Sequence, residues 1–219
     1  MIFAEPRFSP LGDSAVTITL GDEISAAMSD RVIDAAVTIE SGLRGMVELV
    51  PTYAAVTLFY DSVRVSYSEI VRAATRALNN STVLARKDEH LQRVVRIPVT
   101  YDGQDLTEVA QRTGMTEESV IDMHCLREYR VYMLGFAPGF AYLGDLDQRL
   151  ALPRRESPRK RVSKGSVAIA EAQTAVYPSS TPGGWHLIGR TEMTMFDPTR
   201  DPPATLAVGD RVRFERIGR

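Results

Sequence analysis

Between Tyr129 and Thr191 the chain reads YRVYMLGFAPGFAYLGDLDQRLALPRRESPRKRVSKGSVAIAEAQTAVYPSSTPGGWHLIGRT. Turn-forming residues recur so often here that only short strands fit between them. Two Pro-Gly pairs, in Ala137–Phe140 and Thr181–Trp185, frame a basic loop, and each is followed by a ring, Phe140 or Trp185. Proline sets φ for the second position of a turn and glycine accepts the positive φ of the third. Bare backbone beside large rings predicts a concave surface with main-chain groups exposed to a ligand. Strands are predicted at Arg130–Leu134, Ser166–Ala170, Thr174–Tyr177, Trp185–Ile188, Met193–Phe196 and Arg211–Glu215. This many short strands point to a closed or nearly closed β structure.

The chain before this stretch has a different rhythm. Val16, Ile18 and Leu20 alternate with threonines, as in a half-buried strand. Met28, Val32, Ala35, Ala36 and Ile39 follow at helical spacing, with Gly42 placed to end the helix. Strands at Val47–Val50 and Ala55–Tyr60 come next, then a second helix opened by Ser66 and Glu69 at capping-box spacing. The order β-α-β-β-α begins a ferredoxin-like α+β sandwich. Periodicity is lost over residues 79–89, so the boundary is drawn between domains 1–88 and 89–219. Arg93–Thr100 reads as a strand belonging to either sheet. Asp105 with Glu108, and then Thr116, have the spacing of caps for two short helices.

With 219 residues the chain can bury roughly 70% of its unfolded surface. A net charge of −2 gives no field to attract nucleic acid or an anionic membrane. One cysteine, Cys125, forms no internal disulfide, and MIFAEPRFSP has charges and prolines where a signal peptide needs an apolar run. With no apolar segment of membrane-spanning length, a soluble cytoplasmic protein is expected.

The motifs GFAPGFAYLG (Gly135–Gly144), LPRRESPRKRV (Leu152–Val162), GSVAIA (Gly165–Ala170) and YPSSTPGGWHLIGRT (Tyr177–Thr191) closely resemble the B subunit of bacterial 5-oxoprolinase. That family is also described as allophanate hydrolase subunit 1 and includes an inhibitor of a sporulation histidine kinase. Weaker similarity runs from Leu11–Asp22 to Ala207–Phe214. The resemblance implies a small N-terminal α/β domain followed by a mainly-β, cyclophilin-like barrel. It implies a C subunit as partner, with a separate A subunit, and an ATP-dependent opening of 5-oxo-L-proline to L-glutamate. Mg²⁺ would accompany the ATP. Related domains in urea carboxylase make allophanate or a urea derivative the alternative substrate class, and regulation of a histidine kinase the non-enzymatic alternative. The chain departs from the family pattern at Val162-Ser163-Lys164, where Val-Pro is usual, and at His186, where glutamine is usual.

Within this frame Phe136, Pro138, Gly139, Phe140, Tyr142, Gly183, Gly184 and Trp185 are the candidate substrate-binding residues. The rings equally fit the filling of a small barrel. Arg154, Arg155, Arg159, Lys160, Arg161 and Lys164 form a basic loop broken only by Glu156. Guanidinium forks suit carboxylate or phosphate, and Arg154 or Arg159 would steady developing charge. The bland reading is a solvated loop. His186 is the third catalytic candidate, on the strand after the second glycine turn. Lys164-Gly165-Ser166 has the wrong order for a phosphate loop, so ATP rests on the resemblance alone. His90, His124 and His186 lack metal-ligand spacing, and His124 and Cys125 diverge on a helix. No metal is expected. Asp145 and Asp147 have the pattern of turn formers as much as of paired acids.

Overall fold

A hairpin of β1 (Ile2–Leu11) and β2 (Ala15–Gly21) opens the chain. The computed structural model describes residues 1–43, 46–80 (without the Asn80 side chain) and 93–218. It divides into two units, Met1–Glu89 and His90–Arg219. The boundary drawn at 88/89, and His90, lie outside the described residues.

In the first unit α1 (Ala26–Gly42), β3 (Met46–Pro51), β4 (Ala55–Tyr60) and α2 (Tyr67–Asn80) follow the hairpin. The antiparallel sheet has the order β1-β2-β4-β3. Val16, Ile18 and Leu20 of β2 meet Val56, Leu58 and Tyr60 of β4, and Met28, Val32, Ile39, Ile70 and Ala74 of the helices cover them. Each valine, leucine, isoleucine or methionine among them contributes roughly 1.5–3 kcal/mol on burial. Ser25 caps α1 by accepting from the Met28 amide at 3.2 Å. The Ser66–Glu69 box forms, with the Ser66 amide donating to the Glu69 carboxylate at 2.9 Å. Strand β1 has no counterpart among the predicted strands. It is an edge strand, mostly exposed, where Pro6 and Pro10 cost no central ladder bond.

The second unit runs through β5 (Val94–Val99), α3 (Leu106–Thr113), α4 (Glu117–Cys125), β6 (Glu128–Leu134), β7 (Ala141–Gly144) and a one-turn 3-10 helix. It continues with β8 (Arg159–Val162), β9 (Ser166–Ala170), β10 (Gln173–Val176), β11 (Thr181–Gly183), β12 (His186–Arg190) and β13 (Arg211–Arg216). Seven strands form one sheet in the order β12-β9-β10-β7-β6-β13-β5. Its two ends meet: beyond β5, Thr100 exchanges two main-chain hydrogen bonds with Arg190 of β12, at 2.9 and 2.8 Å. A nearly closed, barrel-like sheet results. The Arg93–Thr100 strand thus belongs here, paired in parallel with β13. The predicted strand Met193–Phe196 does not form, and only the bridge of Phe196 to Ala204 remains. Strands β8 and β11 make a separate two-stranded ribbon.

Strands β9 and β10 are buried along their whole length because both faces are covered. Val167, Ile169 and Val176 enter the main core with Ile97, Val131, Leu143 and Phe214. Ala168, Ala170 and Ala175 face a second core made of Phe140, Tyr177 and Trp185. Alanines on that face leave the depth that three large rings require. Among the described residues, no helix is long and apolar enough to cross a membrane.

His124 on α4 is fully buried beside Phe214 and Tyr129. Its Nδ1 lies 2.7 Å from the Tyr101 hydroxyl and its Nε2 2.9 Å from the Thr174 hydroxyl. Cys125 Sγ donates to the same Tyr101 oxygen at 3.2 Å. Burial pushes the imidazole from 6.5 down to about 3. In the unfolded chain the ring gains a proton as pH falls through its ordinary value, while the folded ring stays neutral. Its contribution to stability is therefore complete above pH 6.5 and is lost progressively towards pH 3. Urea unfolding across this window should show a slope that His124→Gln reduces by up to about 1.4 kcal/mol per pH unit.

Candidate functional site

The first Pro-Gly pair forms the predicted turn. Phe140 donates its amide to the Ala137 carbonyl at 2.9 Å, and Gly139 takes φ +78°. This positive φ is what the third position of a type II turn needs. Just before it Phe136 also has a positive φ, +68°, although it is not glycine, and the residue is 62% exposed. Such a conformation costs on the order of 1–3 kcal/mol and persists where the surroundings hold it.

The second Pro-Gly pair is not a turn. Thr181–Gly183 is strand β11, paired with β8. The glycine has a different purpose here: a Cβ on Gly183 would lie 2.2 Å from the Tyr177 hydroxyl. Its absence lets that phenol reach the wall of a cleft.

The cleft, of about 170 Å³, is built around Phe140. Tyr142, Tyr177 and Trp185 stand edge-to-face to it at 5.0, 5.4 and 5.8 Å between centroids, and Phe136 closes the rim at 5.3 Å. Gly183, Gly184, Arg154 and Arg155 complete the lining with Pro158 and Pro182. Of the predicted binding residues, Phe136, Phe140, Tyr142, Gly183, Gly184 and Trp185 thus converge. Pro138 and Gly139 border a different concavity of about 320 Å³, formed by the consecutive residues Leu134–Gly139. A molecule there would be held by one loop, so the ring-lined cleft is the better-built site.

Burial raises the phenol pKa of both Tyr142 and Tyr177, which keeps them neutral hydrogen-bond donors at physiological pH. Arg154 sits on the rim with its guanidinium 3.4 Å from Glu171, both side chains more than half exposed. Arg159 lies outside the cleft lining. Its guanidinium donates to Asp105 at 2.5 Å and to the Trp185 carbonyl at 3.4 Å. His186 is buried behind the wall, where its Nε2 donates to the Pro153 carbonyl at 2.9 Å. Neither reaches the ring-lined space.

Asp145 accepts from the Tyr132 hydroxyl at 2.9 Å. Asp147 caps the 3-10 turn, and the Arg149 side chain and amide, with Arg127, hold its carboxyl well below the usual range. Those aspartates are structural. Among the described residues, no group of three or more His, Cys, Asp or Glu side chains could hold a metal ion.

Asp105, read from sequence as a helix cap, accepts no capping bond. Its carboxylate instead takes Arg155, Arg159 and the Leu187 amide. Spacing alone could not reveal this, because its partners lie about fifty and eighty residues away. Tyr177 was also missed as a binding residue, because it ends a predicted strand and opens the Tyr177–Thr191 motif ahead of its Pro-Gly pair.

The sequence matches the family described as carboxyltransferase domain, subdomain C and D, over residues 6–206. It is 43% identical over 222 positions to the B subunit of 5-oxoprolinase from Bacillus subtilis strain 168, covering 96% of this chain and 92% of the relative. The solved structure of TTHA0988 superposes with a TM-score of 0.81 at 37% identity. That match covers 93% of this chain but 40% of the longer one. Kluyveromyces lactis urea carboxylase shares the fold, with a TM-score of 0.73 at 16% identity over 100% of this chain and 23% of its own.

The cleft's dependence on a bare Gly183 can be measured. Gly183→Ala should displace Tyr177 and lower stability by roughly 1–3 kcal/mol in chemical denaturation; an unchanged midpoint would show that the wall tolerates a methyl group.

Proposed function

The chain belongs to the carboxyltransferase subdomain C and D family, and on that premise we propose that it is the B component of a 5-oxoprolinase-type hydrolase. The reaction opens 5-oxo-L-proline to L-glutamate in the cytoplasm, coupled to ATP, in a complex with C and A subunits. On the same reading the first unit is ferredoxin-like, with β1 beside β2 where a fourth strand would lie, and the second is a cyclophilin-like barrel.

One observation carries the proposal. The lining of the ring-walled cleft supplies guanidinium groups, neutral phenols and bare backbone, and neither carboxylate nor imidazole. Rings seat a small flat molecule, and a guanidinium fork at the rim neutralises a carboxylate. Neither guanidinium nor a phenol of raised pKa exchanges protons readily near pH 7. The cleft is thus equipped to bind and orient, while the groups that move protons come from another subunit. TTHA0988 carries further sequence beyond the aligned region on the same chain, and on the proposed reading the corresponding half here is a separate polypeptide.

A lactam resists water because its nitrogen donates into the carbonyl. Hydrolysis breaks the C–N bond and adds one water across it, leaving an amine and a second carboxylate. ATP supplies the means of making that carbonyl electrophilic. The cleft does not fit the nucleotide: about 170 Å³ is below the roughly 300–1,000 Å³ of pockets for larger ligands. The role proposed for this cleft is holding the ring and its carboxylate through Arg154, with the nucleotide bound elsewhere in the complex.

Arg154→Ala in the reconstituted complex should lower kcat/KM for glutamate release by about 10–100-fold, the worth of one charge-assisted hydrogen bond. Glutamate formed at the full rate by the other subunits without this chain would overturn the assignment.

A further inference from the structure

We infer that Asp105 is a positioning residue for the ring-lined cleft, its buried carboxylate fixing both Arg155 and the Trp185 wall against which a ligand is seated. The inference rests on the cleft being the binding site of the proposed complex.

The geometry begins in the main chain. After the Thr100–Arg190 bridge, the next residues keep running along β12: Gly103 donates to the Ile188 carbonyl at 3.2 Å and Asp105 to that of Leu187 at 2.9 Å. Asp105 is delivered to the back of the cleft wall at the point where α3 begins. Its side chain, 4% exposed, faces the wall and not the first turn of α3. Oδ2 accepts from the Leu187 amide at 2.7 Å. Oδ1 accepts from Arg155 at 3.2 Å and from Arg159 at 2.5 Å.

Both guanidinium groups then act on the cleft. Arg155 is part of its lining, and its amide donates to the Gly184 carbonyl at 2.8 Å. Arg159 passes the constraint to Trp185 by donating to its carbonyl. One carboxylate thus holds a charged group and, through Arg159, the main chain at Trp185 on the same wall. Glu108 binds Arg155 from the solvent side at 3.0 Å and is far more exposed than Asp105. It meets Arg155 but touches neither Arg159 nor the main chain of Leu187 and Trp185. Low dielectric around Asp105 makes its hold stiff, and a misplacement of one ångström in a positioning group is costly to turnover.

Trp185 is the single tryptophan of the chain, so intrinsic fluorescence reads the wall directly. Asp105→Asn keeps an acceptor for Leu187 and removes the charge. In the isolated chain it should red-shift Trp185 emission and ease acrylamide quenching, and in the complex it should lower kcat/KM on the order of 100-fold, with Asp105→Glu recovering most of the loss. Glu108→Gln should stay within about twofold. If Asp105→Asn proves insoluble, Arg159→Gln should give the same emission shift. Wild-type emission and quenching in these variants would overturn the inference, even if stability fell, because Asp105 would then be a clamp only. If Arg154→Ala impairs turnover while Asp105→Asn is normal in both readouts, the site stands and the inference fails. If Arg154→Ala has no effect but Asp105→Asn shifts the emission, the hold on the wall stands and the assignment of the cleft fails.

Discussion

Two hydrogen bonds between Thr100 and Arg190 join the ends of the seven-stranded sheet. Without them β5 and β12 would each present an open edge, and an open edge is a template for wrong pairing. The closure also sets where everything beyond it goes. Residues 100–105 continue along β12, so the start of α3 is held against the back of the cleft wall. The parallel pairing of β5 with β13 ties the same seam to the end of the chain. The barrel-like core and the cleft are therefore consequences of one join, made between residues some ninety positions apart.

The cleft is a second product of sheets with two covered faces. Strands β9 and β10 put branched side chains into the barrel and alanines under the rings. This division explains why Phe140 and Trp185 are nearly buried and yet line a cavity. Packing and the lining of a cleft are competing readings of such rings in a sequence, and here the same rings do both. Phe136 alone leaves the cluster, held in a left-handed conformation and exposed at the rim.

Local signals in the sequence were reliable where local physics decides the outcome. The caps at Ser66 and Thr116 and the Ala137–Phe140 turn depend on residues within a few positions of one another. Alternation likewise located β2. What stayed hidden depends on distant partners. Strand β1 lacks a buried face strong enough to read, and β11 is a strand only because β8 lies opposite, despite a Pro-Gly pair that reads as a turn. Asp105 has the spacing of a cap and the function of an ion-pair hub. Arg159 has the exposure pattern of a basic loop in sequence and a buried partner in the structure. Apart from Tyr177, the aromatic and glycine residues of the candidate site were legible because their motifs are contiguous; the carboxylate of Asp105 that pairs with the basic loop was not.

Whether the cleft is one half of a site shared with another polypeptide decides the functional reading. Hydrogen–deuterium exchange of this chain, alone and with its partner subunits bound, tests that most directly. Protection should appear at the Phe136–Tyr142 rim and at Thr181–Trp185, with the Thr100–Arg190 seam already protected in the free chain. A stable complex that leaves both rim segments exchanging as they do in isolation would contradict it.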